Sequence, residues 1–143
     1  MLSETKYLRT DKFEHREVKE HSINPCCFGE DFAEWLSERI NNISRKGFSI
    51  GEPIQEDYGW GFWVEKDKDP FWIAISYAEE GPVEESPYWI VAVAYDPGLN
   101  IFRRLFGKPN MGNYSELRDE VWRALDAEDE IEKLSEAEWA NLA

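Results

Sequence analysis

At 143 residues the chain is long enough for one domain with a sizeable core, without metal or disulfide staples. Hydrophobic residues make up 42% and aromatic residues 15%, too apolar a composition for a disordered chain. The formal net charge of −14 argues against a binder of nucleic-acid phosphates or anionic membranes, and suits plain solubility or a basic protein partner.

No apolar run approaches the ~20 residues of a transmembrane helix. The first ten residues lack the apolar core of a secretory signal. Cys26 and Cys27 are adjacent, and a disulfide between neighbours closes a strained ring, so the expectation is a reduced, cytoplasmic protein.

In chain order, residues 1–29 read as a polar N-terminal arm. Lys6–Arg9 has the makings of a short edge strand, and the charged stretch after it reads as loop or poorly packed arm up to Asn24-Pro25. Residues 30–127 read as a single α+β domain. Asp31 with Glu34 has capping-box spacing, and Phe32, Trp35, Leu36, Ile40 and Ile43 form a helical stripe that Gly47 stops. Phe48-Ser49-Ile50 starts a short strand.

Two long strands follow. Taking Lys66 to Asp69 as a hairpin loop pairs Val64 with Phe71, Phe62 with Ile73, Trp60 with Ile75 and Tyr58 with Tyr77, all on one face. Trp63 opposite Trp72, Gly61 opposite Ala74 and Gly59 opposite Ser76 make the other face, and a one-residue slip would mix the two. The next strand, Tyr88–Tyr95, adds Trp89, Val91, Val93 and Tyr95 to the first face, and Tyr88, Ile90, Ala92 and Ala94 to the second. Residues 99–106 alternate as a strand does but also fit a short helix ended by Gly107 and Pro109, and the helix is preferred. Asn113 with Glu116 opens a second long helix with the stripe Tyr114, Leu117, Val121, Trp122 and Leu125. Residues 128–143 read as an acidic tail or short helix, in which Ser135 with Glu138 repeats the capping pattern, and Leu134 and Trp139 stand at hydrophobic-staple positions.

The expected architecture is an α+β two-layer sandwich. It has an antiparallel sheet of about four strands, two main helices on one face and a short C-terminal helix.

The second sheet face carries the first candidate site. A sheet with helices on one side normally shows polar residues on the other, yet this face carries Trp63, Trp72, Tyr88 and Ile90 among glycines and alanines. Such a patch is covered by the chain's own N-terminal arm or Trp139 tail, by a second copy or another partner, or by a small ligand. A second candidate lies in the acidic C-terminal region, where about half of the net negative charge falls between Glu116 and Glu138. There Glu128, Asp129, Glu130 and Glu132 are either a solvated face or a surface that steers a basic partner.

Glu52, Glu56, Asp57, Glu79, Glu80, Glu84 and Glu85 gather near strand ends, where paired carboxylates do acid–base chemistry only if burial separates their pKa values. Loops rich in glycine and proline favour a solvated rim. His15, His21, Cys26 and Cys27 match no familiar zinc spacing, so no metal or other cofactor is expected. No phosphate loop or nucleophile elbow is present, and no catalytic residue is assigned. Arg103, Arg104 and Lys108 form a local basic cluster that suits internal pairing with the acidic helices or contact with a small anion or acidic partner.

The stretches E-P-I-Q-E-D-Y-G-W-G-F-W-V, F-W-I-A-I-S-Y and Y-D-P-G-L-N-I-F-R-R-L-F-G-K-P resemble those of a family of small, acidic, poorly characterised bacterial proteins, over roughly residues 31–125. That resemblance implies no catalytic motif and no site residues. In size and acidity the chain is also similar to bacterial immunity proteins and phage-encoded anti-CRISPR inhibitors. The expected function is therefore a non-enzymatic acidic module that occupies a basic surface of a partner protein. It would bind no nucleic acid directly and no membrane, with Trp63 and Trp72 as anchors. A small-molecule-binding or hydrolytic protein using the aromatic floor, and a homodimer packed sheet to sheet, are the alternatives.

Overall fold

The computed structural model describes residues 2–17, 28–80, 82–98 and 108–142. The sheet is built from β1 (Ser3–Arg9), β2 (Ser49–Ile50), β3 (Ile54–Glu56), β4 (Gly59–Lys66), β5 (Asp69–Tyr77), β6 (Tyr88–Tyr95) and β7 (Glu132–Leu134). The helices are α1 (Glu30–Arg39), a 3-10 helix over Asn41–Lys46, α2 (Met111–Asp126) and α3 (Glu136–Ala140). The strand order is β2-β4-β5-β6-β1-β7, with β3 also on β4, and every pairing is antiparallel. No helix among the described residues is long and apolar enough to cross a membrane.

The α+β class holds, but the expectation of about four strands is wrong: the sheet has seven. β1 and β2 form at the short strands expected around Lys6–Arg9 and Phe48–Ile50, while β3 and β7 arise where no strand was expected. β1 continues the sheet past β6, with Leu8 opposite Trp89, and β7 adds to its far side. β2 and β3, of two and three residues, both pair with β4. Strands this short carry no visible alternation. They exist because a partner strand offers backbone N–H and C=O groups that need pairing.

The β4–β5 register is the one expected, from Gly59 opposite Ser76 through Trp63 opposite Trp72 to Val64 opposite Phe71. The turn is tighter than the expected four-residue loop. Only Asp67 and Lys68 lie between Lys66 and Asp69, both at positive φ (53° and 68°), as a two-residue type I′ hairpin requires. The tip is tied to α2, since Asp67 accepts from the Asn113 side-chain amide and Asp69 from the Asn110 N–H, each at 2.9 Å.

Both long helices cover the face that carries Trp60, Phe62, Ile73, Ile75 and Val91. From α1, Phe32 and Leu36 are fully buried, and from α2, Tyr114, Leu117 and Val121. The Tyr114 hydroxyl donates to the Val93 carbonyl at 2.9 Å. Burial, reinforced by Glu4, pushes that hydroxyl well above the ordinary tyrosine range.

The helix starts differ from the capping expectation. α1 begins after Gly29 with no side-chain cap, and Asp31 instead accepts from the Glu14 N–H at 2.8 Å. α2 is capped by Asn110 and not by Asn113, which lies buried inside the first turn. After Ile40 the first apolar stripe continues as the 3-10 helix, and Gly47 (φ 91°) ends that segment. The capping box of Ser135 and Glu138 forms as expected. Residues 99–106, whose strand or helix reading was open, lie outside the described residues, as do His21, Cys26, Cys27, Arg103 and Arg104.

The described part of the N-terminal arm packs into the core. The Phe13 ring stacks on Phe32 at 4.0 Å, and His15 is fully buried. The His15 Nδ1 faces the Val83 carbonyl at 2.8 Å and its Nε2 faces the Asp11 carboxylate. The Trp89 indole donates to the Thr10 carbonyl at 3.3 Å.

Candidate functional site

The sheet face away from α1 and α2 has two aromatic ends and a floor of small residues. At the β1–β6 end, Trp139 of α3 stacks on Tyr7 with ring centroids 4.7 Å apart and meets Tyr88 edge-on at 6.1 Å. The chain's own C-terminal segment thus covers this end. The Arg9 guanidinium also lies 5.2 Å over the Tyr88 ring. Ile90, Ala74, Ala92 and Ala94 form the half-buried middle of the face.

The β4–β5 end is open. Trp72 is 9% exposed while Trp63 is 38% exposed, and the two rings sit 4.8 Å apart. The Trp72 ring lies so close to Gly61 that a Cβ there would meet it at 2.3 Å. The Trp72 indole donates to the Tyr58 hydroxyl. That bond corrects the expected position of Tyr58 on the core face opposite Tyr77. Gly59, at φ 155°, breaks the alternation and sends Tyr58 to the second face. An alanine could not replace it, because its Cβ would lie 2.2 Å from the Ile75 carbonyl oxygen.

Tyr58 and Ile54, the latter opposite Gly61 on β3, are each 43% exposed. Together with Trp63 they make an apolar patch resting on the buried Trp72. Burial holds the Tyr58 hydroxyl above the ordinary tyrosine range against the lowering effect of the Trp72 hydrogen bond, and the Glu56 and Asp96 carboxylates raise it further. The sequence placed Tyr58 on the core face and did not single out Ile54. The signal for Tyr58 was Gly59, and for Ile54 nothing short of the β3 pairing would serve.

Beside Trp63 lies a slot of about 170 Å³ lined by Trp63, Val64, Glu65, Pro70, Asp96, Pro97 and Gly98. Asp96 is held at both ends: its N–H donates to the Pro70 carbonyl at 3.1 Å, and its carboxylate accepts from the Gly98 N–H at 2.8 Å. A larger groove of about 440 Å³ runs between α1 and α2 past Trp35, Arg39, Glu120 and Arg123. Arg123 there is paired with Glu120.

The acidic candidates lie elsewhere. Glu128 and Glu130 stand after α2, each about a salt-bridge distance from Lys12 (3.9 and 4.0 Å). Asp129 is exposed beside them, and Glu132 is in β7 opposite Arg9. Four strand spacings separate β4 from β7, about 19 Å at ~4.8 Å each. Trp63 and Trp72 are brought together, Tyr88 and Ile90 lie in between, and Glu128–Glu132 belong to the opposite edge. Among the described residues no three metal-ligating side chains converge. Of the acidic residues near strand ends, Glu79 accepts from the Tyr88 N–H at 3.4 Å and Glu84 pairs with Arg16 at 3.7 Å.

Comparison of the chain with protein-family models, curated proteins and solved structures gives no match.

Proposed function

We propose that the protein is a non-enzymatic binding module that occupies a basic surface of a partner protein, in the manner of an inhibitor or immunity protein of the bacterial cytoplasm. The observation that carries this reading is the open patch of Trp63, Tyr58 and Ile54. Large rings exposed on a rigid sheet, over a buried Trp72, are the usual anchors of a protein interface. The net charge of −14 supports the choice of a basic partner, because the field of the whole chain speeds encounter with a cation and repels nucleic acid. Glu128, Asp129, Glu130 and Glu132 steer from a distance and do not touch the partner at the Trp63 patch.

Pull-down from a bacterial lysate with native protein and with Trp63→Ala, at low salt and at ~0.5 M salt, tests this. Native protein retains a basic protein at low salt, and both the salt and the substitution release it. Retention of no basic protein at low salt overturns the reading. A second copy of the chain is the competing occupant of the face, and sedimentation as a monomer at micromolar concentration excludes it.

A further inference from the structure

We infer that the slot beside Trp63 is an arginine-recognition site for a side chain of the basic partner, a step that rests on the binding-module reading above. The slot brings together a tryptophan, two prolines and two acidic residues. Its lining includes Trp63, Pro70 and Pro97 together with the acidic residues Glu65 and Asp96. No lysine or arginine lines it among the described residues. A guanidinium is planar, keeps its charge, stacks on an indole and donates in a fork that matches carboxylates. The aliphatic stem of the same side chain suits the proline walls. A volume of about 170 Å³ accommodates one such side chain and not a folded segment.

The walls are set before binding. Trp63 is braced by Trp72, and its backbone carbonyl accepts from the Gly51 N–H at 2.8 Å. Asp96 is fixed by Pro70 and Gly98. A preformed slot spends little ordering entropy on its ligand. The charge logic also explains why the site suits this chain. In a protein with 30 acidic and 16 basic residues, a slot flanked by two carboxylates and shielded by prolines favours a cation from outside.

The test is an NMR titration of the full chain with an amidated hexa-arginine peptide, and with hexa-citrulline as its neutral isostere, at about 20 mM and about 0.5 M salt. The expected result is that hexa-arginine shifts the Trp63 indole N–H and the backbone signals of Glu65 and Asp96 at low salt, while hexa-citrulline does not. Hexa-lysine, lacking the planar fork, binds more weakly. Trp63→Leu keeps an apolar residue but removes the ring, and Glu65→Gln changes only an exposed charge. Each weakens hexa-arginine binding by about fivefold or more. If hexa-arginine instead shifts the Glu128–Glu132 edge, and both variants bind as tightly as the native chain, the slot is overturned while the basic-partner reading stands. Equal shifts with hexa-citrulline also overturn the slot. If hexa-arginine produces no shift anywhere at low salt, both readings fall.

Discussion

Gly61 has no side chain, and the Trp72 ring occupies the space where one would be. A Cβ added at Gly61 would stand 2.3 Å from that ring and 2.7 Å from the Ile73 carbonyl oxygen. Gly61→Ala is therefore expected to destabilise the protein by about 1–3 kcal/mol, as overpacked sites do. It should also lift Trp72 away from Tyr58, and a urea titration followed by tryptophan fluorescence checks both. A second residue-scale expectation concerns Asp11. The hydrogen bond to His15 holds its carboxyl below the ordinary value of 3.8, opposed in part by burial and helped by Arg16. A depressed folded-state pKa means the interaction stabilises the protein above pH ~4, and is lost as pH falls through the folded value. Melting temperature measured from pH 5 down to pH 2 should therefore fall more steeply in the native chain than in Asp11→Asn. Equal slopes would show that the Asp11–His15 contact contributes nothing to folding.

At the scale of elements, the two helical stripes and the three long strands were legible because each buries one side over several turns or residues. The helix starts were not. Asp31 and Asn113 have the chemistry of caps, but tertiary partners claim their side chains: the Glu14 N–H for Asp31 and Asp67 for Asn113. Where no such competitor exists, the local signal holds, as at Ser135 with Glu138. Replacing Ser135 by alanine removes one cap and is expected to weaken α3 by about 1 kcal/mol. The readout is faster hydrogen exchange at the Trp139 N–H, which is bonded to the Ser135 carbonyl, with little change in the global unfolding midpoint. Loss of that protection would also uncover Tyr7, on which Trp139 rests.

At the scale of the molecule, the sheet is closed by segments far apart in sequence. β1 lies between β6 and β7, and the Thr10 hydroxyl donates to the Glu130 carbonyl at 2.8 Å. Truncation after residue 127 would remove β7, the buried Ile131 and the Trp139 cover together. It would leave β1 as an uncovered edge with Tyr7 exposed, an arrangement prone to edge-to-edge association. Sedimentation should then show stronger concentration-dependent association than the full chain does. The candidate site depends on the same organisation, because four strand spacings of the sheet separate the Trp63 slot on β4 from the acidic β7 edge. Encounter and anchoring are thereby assigned to different regions, and salt should act on the first more than on the second.

The amino-acid sequence by itself determined the α+β class, the β4–β5 register, the β6 span and the presence of an aromatic second face. Those features rest on alternation and helical periodicity repeated over enough residues to stand above chance. Tertiary structure alone decided the seven-strand count, because β3 and β7 are too short to carry a period and form only against a partner. It also decided which rings of the second face meet solvent. Trp72 and Trp63 look equivalent in the sequence, yet Gly61 lets one ring sink beneath Tyr58 and Trp63 while the other stays open. Trp139, 67 residues beyond Trp72, covers only the far end of the face. Which end a distant segment covers depends on the strand order, which no local pattern encodes.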